Sequence, residues 1–322
     1  MIPRLKFAHL PTPIEALPRL SAVLGGPRLF VKRDDQTGLA TGGNKTRKLE
    51  FLLAEAQANG ARTLITAGAA QSNHCRQTAA AAARYGFDCI VVLSGEATDF
   101  HTGNLLLDDL FGAEIVWTTR PERDAVLQST FEAAWDAGRR PYLIPTGGSN
   151  ATGSAGYAAA MEEFLEQGVP TDWIVFPSSS GGTHAGLALG AKKTGWKGHV
   201  LGISIDEEEQ DLKNLVAGLA TACADKLGLD LKLTPAEIEV NADYLGAGYG
   251  IMGEPEKEAI QLFARHEGLL LDPVYTGRAG AGLIGLIRRG FFKPSDTVVF
   301  WHTGGAVALF GEAYTKDLQF HA

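Results

Sequence analysis

The chain has 322 residues, 45% of them hydrophobic and 20% charged, with a formal net charge of −8. That length suits two α/β domains, and the acidic balance excludes a general nucleic-acid binder, which needs a basic surface against the phosphate backbone. No apolar run approaches the roughly 20 residues that span a bilayer. Nor does an apolar stretch follow the charges of Met1-Ile2-Pro3-Arg4-Leu5-Lys6-Phe7, so neither a membrane anchor nor a secretory leader is expected. The cysteines, Cys75, Cys89 and Cys223, are odd in number and form no Cys-x-x-Cys pair. This fits a reducing cytoplasm better than a disulfide framework or a zinc site, and no metal is expected.

The first stretch that carries chemistry is Lys32-Arg33-Asp34-Asp35, followed by Gly42-Gly43-Asn44-Lys45-Thr46-Arg47-Lys48. A glycine pair lets backbone approach a ligand, and Asn44 is a natural helix cap. Lys45 then opens a helix in which Leu49, Leu52, Leu53 and Ala56 share one apolar face. Beside Arg47, Lys48 and a helix N-terminus, the Lys45 ammonium is disfavoured, which favours the neutral amine that forms Schiff bases. By spacing alone the same residues also read as a basic, solvated helix start.

A strand is expected at 63–67. Gln71-Ser72-Asn73-His74 follows it and leads into an alanine-rich helix at 78–84. Polar side chains at such a turn can meet a carboxylate with help from the helix N-terminus, or simply cap the helix. His74 is a possible general base, although a lone histidine is more often a hydrogen-bonded structural residue. Further strands are expected at 89–93, 114–117, 141–144 and 173–176. The last runs into Ser178-Ser179-Ser180-Gly181-Gly182-Thr183-His184-Ala185-Gly186. Small residues there free backbone N–H groups to wrap a phosphate, and no Gly-Lys-Ser/Thr follows to make it a Walker loop.

A strand at 200–205 precedes a helix at 206–225, whose first turn would hold Glu207, Glu208 and Glu209 near the positive end of its dipole. Gly280-Ala281-Gly282-Leu283-Ile284-Gly285 matches G-x-G-x-x-G, but it falls inside an expected helix, where small packing residues explain it better than a dinucleotide site. The last strand is expected at 297–301. This β-α-β-α rhythm gives an α/β fold of open, mostly parallel twisted sheets with helices on both faces.

Several segments in one order resemble the fold-type II pyridoxal-phosphate (PLP) enzymes, specifically the D-cysteine desulfhydrase and 1-aminocyclopropane-1-carboxylate (ACC) deaminase family. They are Pro11-Thr12-Pro13, Lys32–Asp35, 42–51, 71–78, Gly147-Gly148-Ser149-Asn150, the Gly181 loop, Gly248-Tyr249-Gly250, 270–277 and His302-Thr303-Gly304-Gly305. The resemblance implies a tryptophan synthase β-like fold. Residues 1–48 and 158–322 would form a large cofactor-binding domain, and 49–157 a small inserted one. It implies that Lys45 holds PLP as a Schiff base. Asn73 would face the cofactor's 3′-oxygen, and Ser72 the substrate carboxylate. Ser180, Gly181, Gly182 and Thr183 would hold the phosphate, with Lys48 nearby. Tyr249 and Tyr275 would line the substrate side and take part in proton transfer.

Thr276 would meet the pyridine nitrogen, where ACC deaminases carry Glu, and Thr303 stands where they carry Leu. A threonine supports a neutral pyridine and rapid loss of a β-substituent. Two departures stand out: Gly250-Ile251-Met252-Gly253-Glu254-Pro255 differs from the usual Gly-Val followed by Pro-Asn or Pro-Thr, and Cys75 replaces a more usual valine. The implied activity is β-elimination on a small amino acid, D-cysteine first, giving pyruvate, sulfide and ammonia. L-cysteate sulfo-lyase comes second and ACC deaminase third. A non-catalytic PLP-binding protein is the reading from another class, and Tyr249, Tyr275 and Ser72 argue against it. A cytoplasmic homodimer is implied by the family.

Overall fold

In the computed structural model, which describes residues 2–318 and leaves Met1 outside, the chain forms two sheets. Its strands are β1 (Ile14–Ala16), β2 (Arg28–Arg33), β3 (Thr63–Ala69), β4 (Asp88–Ser94), β5 (Glu114–Thr118), β6 (Pro141–Leu143), β7 (Trp173–Ser178), β8 (His199–Ser204), β9 (Glu239–Asn241) and β10 (Thr297–His302). Its helices are α1 (Pro18–Leu24), α2 (Lys45–Ala58), α3 (Asn73–Tyr85), α4 (Gly103–Leu110), α5 (Arg123–Asp136), α6 (Ala151–Glu166), α7 (Gly182–Thr194), α8 (Glu209–Leu227), α9 (Glu254–Glu267), α10 (Thr276–Arg288) and α11 (Glu312–Thr315). The larger sheet has six strands in the order β1-β2-β10-β7-β8-β9, and the smaller has four in the order β5-β4-β3-β6. Among the described residues, only the β1–β2 pair is antiparallel.

Helices cover both faces of the larger sheet because its central strand is apolar on both. Along β10, Val298 and Phe300 pack with Val31, Val175 and Phe263, whereas Val299 and Trp301 pack with Phe164 and Phe176 on the other side. This two-sided burial is what parallel strands require. The division expected at 48/49 and 157/158 falls within α2 and α6.

Three strands, β1, β2 and β9, escaped the sequence reading. The charged end of β2 hid it: Lys32 is fully buried, with Nζ donating to Glu163 Oε1 (2.6 Å) and the Thr12 carbonyl (2.8 Å). The start of α8 also needs correction. Ser204 Oγ donates to the Glu207 carbonyl and accepts its N–H, which holds 204–207 in a turn. Glu207 and Glu208 therefore precede the helix, and its acidic first turn is Glu209 and Asp211.

G-x-G-x-x-G lies within α10, as packing residues. A Cβ on Gly280 would approach Leu271 to 2.9 Å, and one on Gly285 would approach Tyr244 Oη to 2.1 Å.

Where β2 ends, the fully buried Asp34 carboxylate gathers five donors: Arg47 Nε (2.9 Å) and an Arg47 terminal nitrogen (2.8 Å), Thr12 Oγ1 (2.9 Å), Trp301 Nε1 (2.8 Å) and the Tyr157 hydroxyl. Burial alone would raise the carboxyl's pKa, but the Arg47 guanidinium overrides it and holds it below the usual range. Removing one partner of such a pair strands the other charge. Asp34→Ala should therefore cost about 3–5 kcal/mol, read as a lower urea midpoint. Because the folded pKa is depressed, the carboxylate's contribution is complete above the ordinary carboxylate range and lost as pH falls below it. The gap between wild type and variant should narrow in acid.

Candidate active site

The carboxyl ends of strands from both sheets face one cavity of about 920 Å³, the usual ligand position in open α/β folds. Lys45 and Lys48 reach it from one face of α2, being one helical turn apart. Their Nζ atoms donate to the same Gly147 carbonyl, at 3.3 and 3.0 Å. Burial lowers the Lys45 pKa to about 8, with Cys75 opposing. Burial and then the Lys45 charge hold Lys48 well below the ordinary lysine value. Arg47, expected to help depress Lys45, lies about 200° around the helix and binds Asp34 and Glu163 instead. Asn44 does not cap α2; its Nδ2 donates to Thr183 Oγ1 (3.0 Å) and so ties α2 to α7.

The second wall is the turn into α7. Gly181 adopts φ +76°, which starts the helix with its N-terminus toward the cavity. Ser180 Oγ lies 2.8 Å from Ser149 Oγ, and Ser149 Oγ accepts from Lys48 Nζ (3.1 Å) and the Gly182 N–H (3.2 Å). Gly182 stands just behind the lining, where a Cβ would come within 2.9 Å of Lys48 Nζ. The Lys48 amino group, three hydroxyls (Ser149, Ser180, Thr183) and a helix N-terminus thus converge, as an anion site requires. Ser149 was not among the expected site residues. Its clue was a second Gly-Gly followed by polar residues, Gly147-Gly148-Ser149-Asn150, echoing Gly42-Gly43-Asn44.

The third wall is the start of α3. Ser72 and Asn73 line the cavity, and Ser72 Oγ also caps the helix by accepting from the Cys75 N–H (3.2 Å). The capping role of Ser72 leaves its hydroxyl on the cavity wall. His74 also borders the cavity, but its Nε2 pairs with Thr66 Oγ1 (2.8 Å), and burial keeps its pKa well below the ordinary histidine value. A ring so held is neutral.

Opposite stand Tyr249 and Tyr275, with hydroxyls 2.6 Å apart. Burial raises both phenol pKa values, so the pair is neutral at pH 7. Thr303 lines the cavity. Thr276 does not: it is fully buried behind the lining, with its hydroxyl donating to Asp272 Oδ1 and accepting the Asp272 N–H, each at 2.7 Å. At the mouth, Arg120 sits over the Tyr249 ring (5.1 Å) and 3.7 Å from Asp206, while Arg123 lies 3.5 Å from Asp124.

The donor set fits PLP. A partly neutral amine suits its aldehyde, the α7 cradle suits its phosphate, and the α3 turn supplies polar groups for its ring oxygen and a substrate carboxylate. Among the described residues, no group of three His, Cys, Asp or Glu side chains is placed to hold a metal, and no helix is long and apolar enough to cross a membrane. All three cysteines are free and buried.

Comparison with known proteins agrees. Residues 5–304 match the model of the family described as pyridoxal-phosphate dependent enzyme. The chain is 45% identical over 320 residues to a D-cysteine desulfhydrase of Klebsiella pneumoniae (strain 342), covering 96% of this chain and 95% of that one. A crystal structure of an ACC deaminase homologue superposes with a TM-score of 0.90 at 36% identity, covering 98% of this chain and 95% of the other. A fungal L-serine ammonia-lyase from Rhizomucor miehei shares the fold (TM-score 0.71, 17% identity, covering 98% and 99%). The chain belongs to the pyridoxal-phosphate-dependent enzymes, in the branch it shares with D-cysteine desulfhydrase and the ACC deaminase homologue.

Proposed function

We propose that the chain is a lyase that converts D-cysteine and water to pyruvate, sulfide and ammonia. The observation that carries this reading is the convergence of Lys45, Ser72 and the Tyr249–Tyr275 pair on one cavity, in a chain 45% identical to a D-cysteine desulfhydrase. PLP, when bound, supplies the electron sink that makes the α-proton acidic. Lys45 would hold it through Nζ, and Lys48, Ser149, Ser180, Gly181, Gly182 and Thr183 would hold its phosphate. Asn73 would meet its ring oxygen. Thr303, which lines the cavity, would meet its pyridine end in place of Thr276, whose hydroxyl is taken by Asp272. Ser72 Oγ and the N-terminus of α3 bind the substrate carboxylate. Once freed, Lys45 Nζ takes the α-proton, and the phenol pair offers one to the departing sulfur.

The mouth of the cavity favours a thiol over a sulfonate. Its arginines, Arg120 and Arg123, already lie beside Asp206 and Asp124, and Glu207 adds further negative charge. This is the reason for ranking L-cysteate sulfo-lyase second. ACC deaminase ranks third, because Thr303 occupies the position of a leucine. We place the enzyme in the cytoplasm as a homodimer; exposed Leu106, Leu110 and Phe310, on α4 and the turn beside it, offer apolar surface for a second copy.

Three outcomes test the reading. PLP-loaded protein should form pyruvate and sulfide in equal amounts from D-cysteine, with little of either from L-cysteine, little pyruvate from D-serine and little 2-oxobutyrate from ACC. Sulfite from L-cysteate would move it to the sulfo-lyase. Lys45→Ala should lose borohydride-fixable cofactor and roughly a thousandfold or more in turnover; unchanged fixation and rate would overturn the role of Lys45. Only the neutral amine adds to an aldehyde, and the Lys45 pKa is lowered to about 8. Cofactor uptake by apoprotein should therefore accelerate as pH rises through about 8 and level off above it, measured by stopped-flow absorbance.

A further inference from the structure

Asn104, the second residue of α4, is fully buried against the Gln71–Asn73 turn. Its backbone N–H donates to Gln71 Oε1 (2.8 Å). Its side-chain Nδ2 donates to the Gln71 carbonyl and to Asn73 Oδ1, both at 2.9 Å. Its own Oδ1 is buried with no hydrogen-bond partner among the described residues. A buried amide oxygen left unpaired is a cost, and the amide's gain lies in its two donors. The amide must be explained by what its two donors do.

One of them decides which end of Asn73 faces the cavity. The oxygen and nitrogen of an amide have nearly the same shape, so a free Asn73 side chain would turn either way. With Oδ1 taken by Asn104, Nδ2 is the atom left to face outward. It points toward Gly305, where a Cβ would lie 2.6 Å away, so that position must remain glycine. The outward group is thus a donor.

We propose that Asn104 is a positioning residue that locks the Asn73 amide with its donor turned into the cavity, so that the anionic ring oxygen of PLP meets an N–H rather than a carbonyl. This rests on the reading of Asn73 as a cofactor ligand. Asn104 touches neither substrate nor cofactor and acts through Asn73 alone.

The test is the pH titration of the visible absorbance of the holoenzyme. The ring oxygen and the Lys45 nitrogen share one proton, and a donor to the oxygen competes for it and lowers the pH at which it leaves. Loss of that donor should raise the midpoint. Asn73→Ala and Asn104→Ala should each raise it by about one pH unit. Asn104→Asp, with the same shape but an acceptor in place of the donor, should raise it at least as far. The double variant should move no further than Asn73→Ala alone. If Asn73→Ala shifts the midpoint and Asn104→Ala does not, the positioning role is wrong while the Asn73 reading stands. An equal Asn104 effect in the Asn73→Ala background would also overturn it, since the effect would then bypass Asn73. If Asn73→Ala leaves the midpoint unmoved, the cofactor-ligand reading fails and takes the inference with it. If neither Asn104 variant folds, the residue is structural and the proposal falls.

Discussion

Asp34 and Arg47 meet in the interior, buried from solvent, and the position of Lys45 follows from that contact. Two charges are tolerated there because their polar atoms are shared out among fixed partners: Asp34 among Arg47, Thr12, Tyr157 and Trp301, and Arg47 between Asp34 and Glu163. Those partners come from the chain's start, β10 and α6, so α2 is clamped to the large sheet by its own second residue after Lys45. A helix turns about 100° per residue. Pinning Arg47 inward leaves Lys45 on nearly the opposite side, and Lys48, one turn on, beside it. The rotation of α2 that presents both amines to the cavity is set by a salt bridge that never touches the cavity.

Burial then gives each group its chemistry. Lys45 and Lys48 lose the water that stabilises an ammonium, so both pKa values fall. Tyr249 and Tyr275 lose the water that stabilises a phenolate, so theirs rise and the pair remains protonated. The same desolvation produces a ready amine on one wall and a proton-bearing phenol pair on the other. The anion end gathers Lys48, three hydroxyls and the α7 N-terminus.

Much of this was legible in the chain. Val- and Ile-rich runs marked β3, β4, β7, β8 and β10, because a two-faced parallel strand must be apolar at nearly every position. Gln71–His74 and the Ser180–Thr183 turn each follow such a run, which put them at strand carboxyl ends, whereas Gly42-Gly43-Asn44-Lys45 follows β2. β2 was missed because Lys32 and Arg33 look like surface charges, and it takes Glu163, more than a hundred residues away, with Gln167 and the Thr12 carbonyl to make Lys32 a buried one. Asn44 fits a cap by type but finds Thr183 instead. Thr276 fits a cofactor contact by its motif, yet Asp272, four residues earlier, occupies its hydroxyl. Asn104 carried no motif at all.

By itself the sequence determined the α/β class, the order of most strands, the lysine and glycine segments that surround the cavity, and the family. These follow from periodicity, local turn chemistry and short motifs, which are properties of neighbouring residues. Tertiary structure alone decided which way each polar side chain turns: Arg47 inward to Asp34, Lys48 toward Gly147 and Ser149, Thr276 onto Asp272, Asn73 with its donor outward. Side-chain direction in the interior depends on partners brought together from distant parts of the chain, and a hydrogen bond or ion pair at 3 Å has no signature in the spacing of the residues that make it.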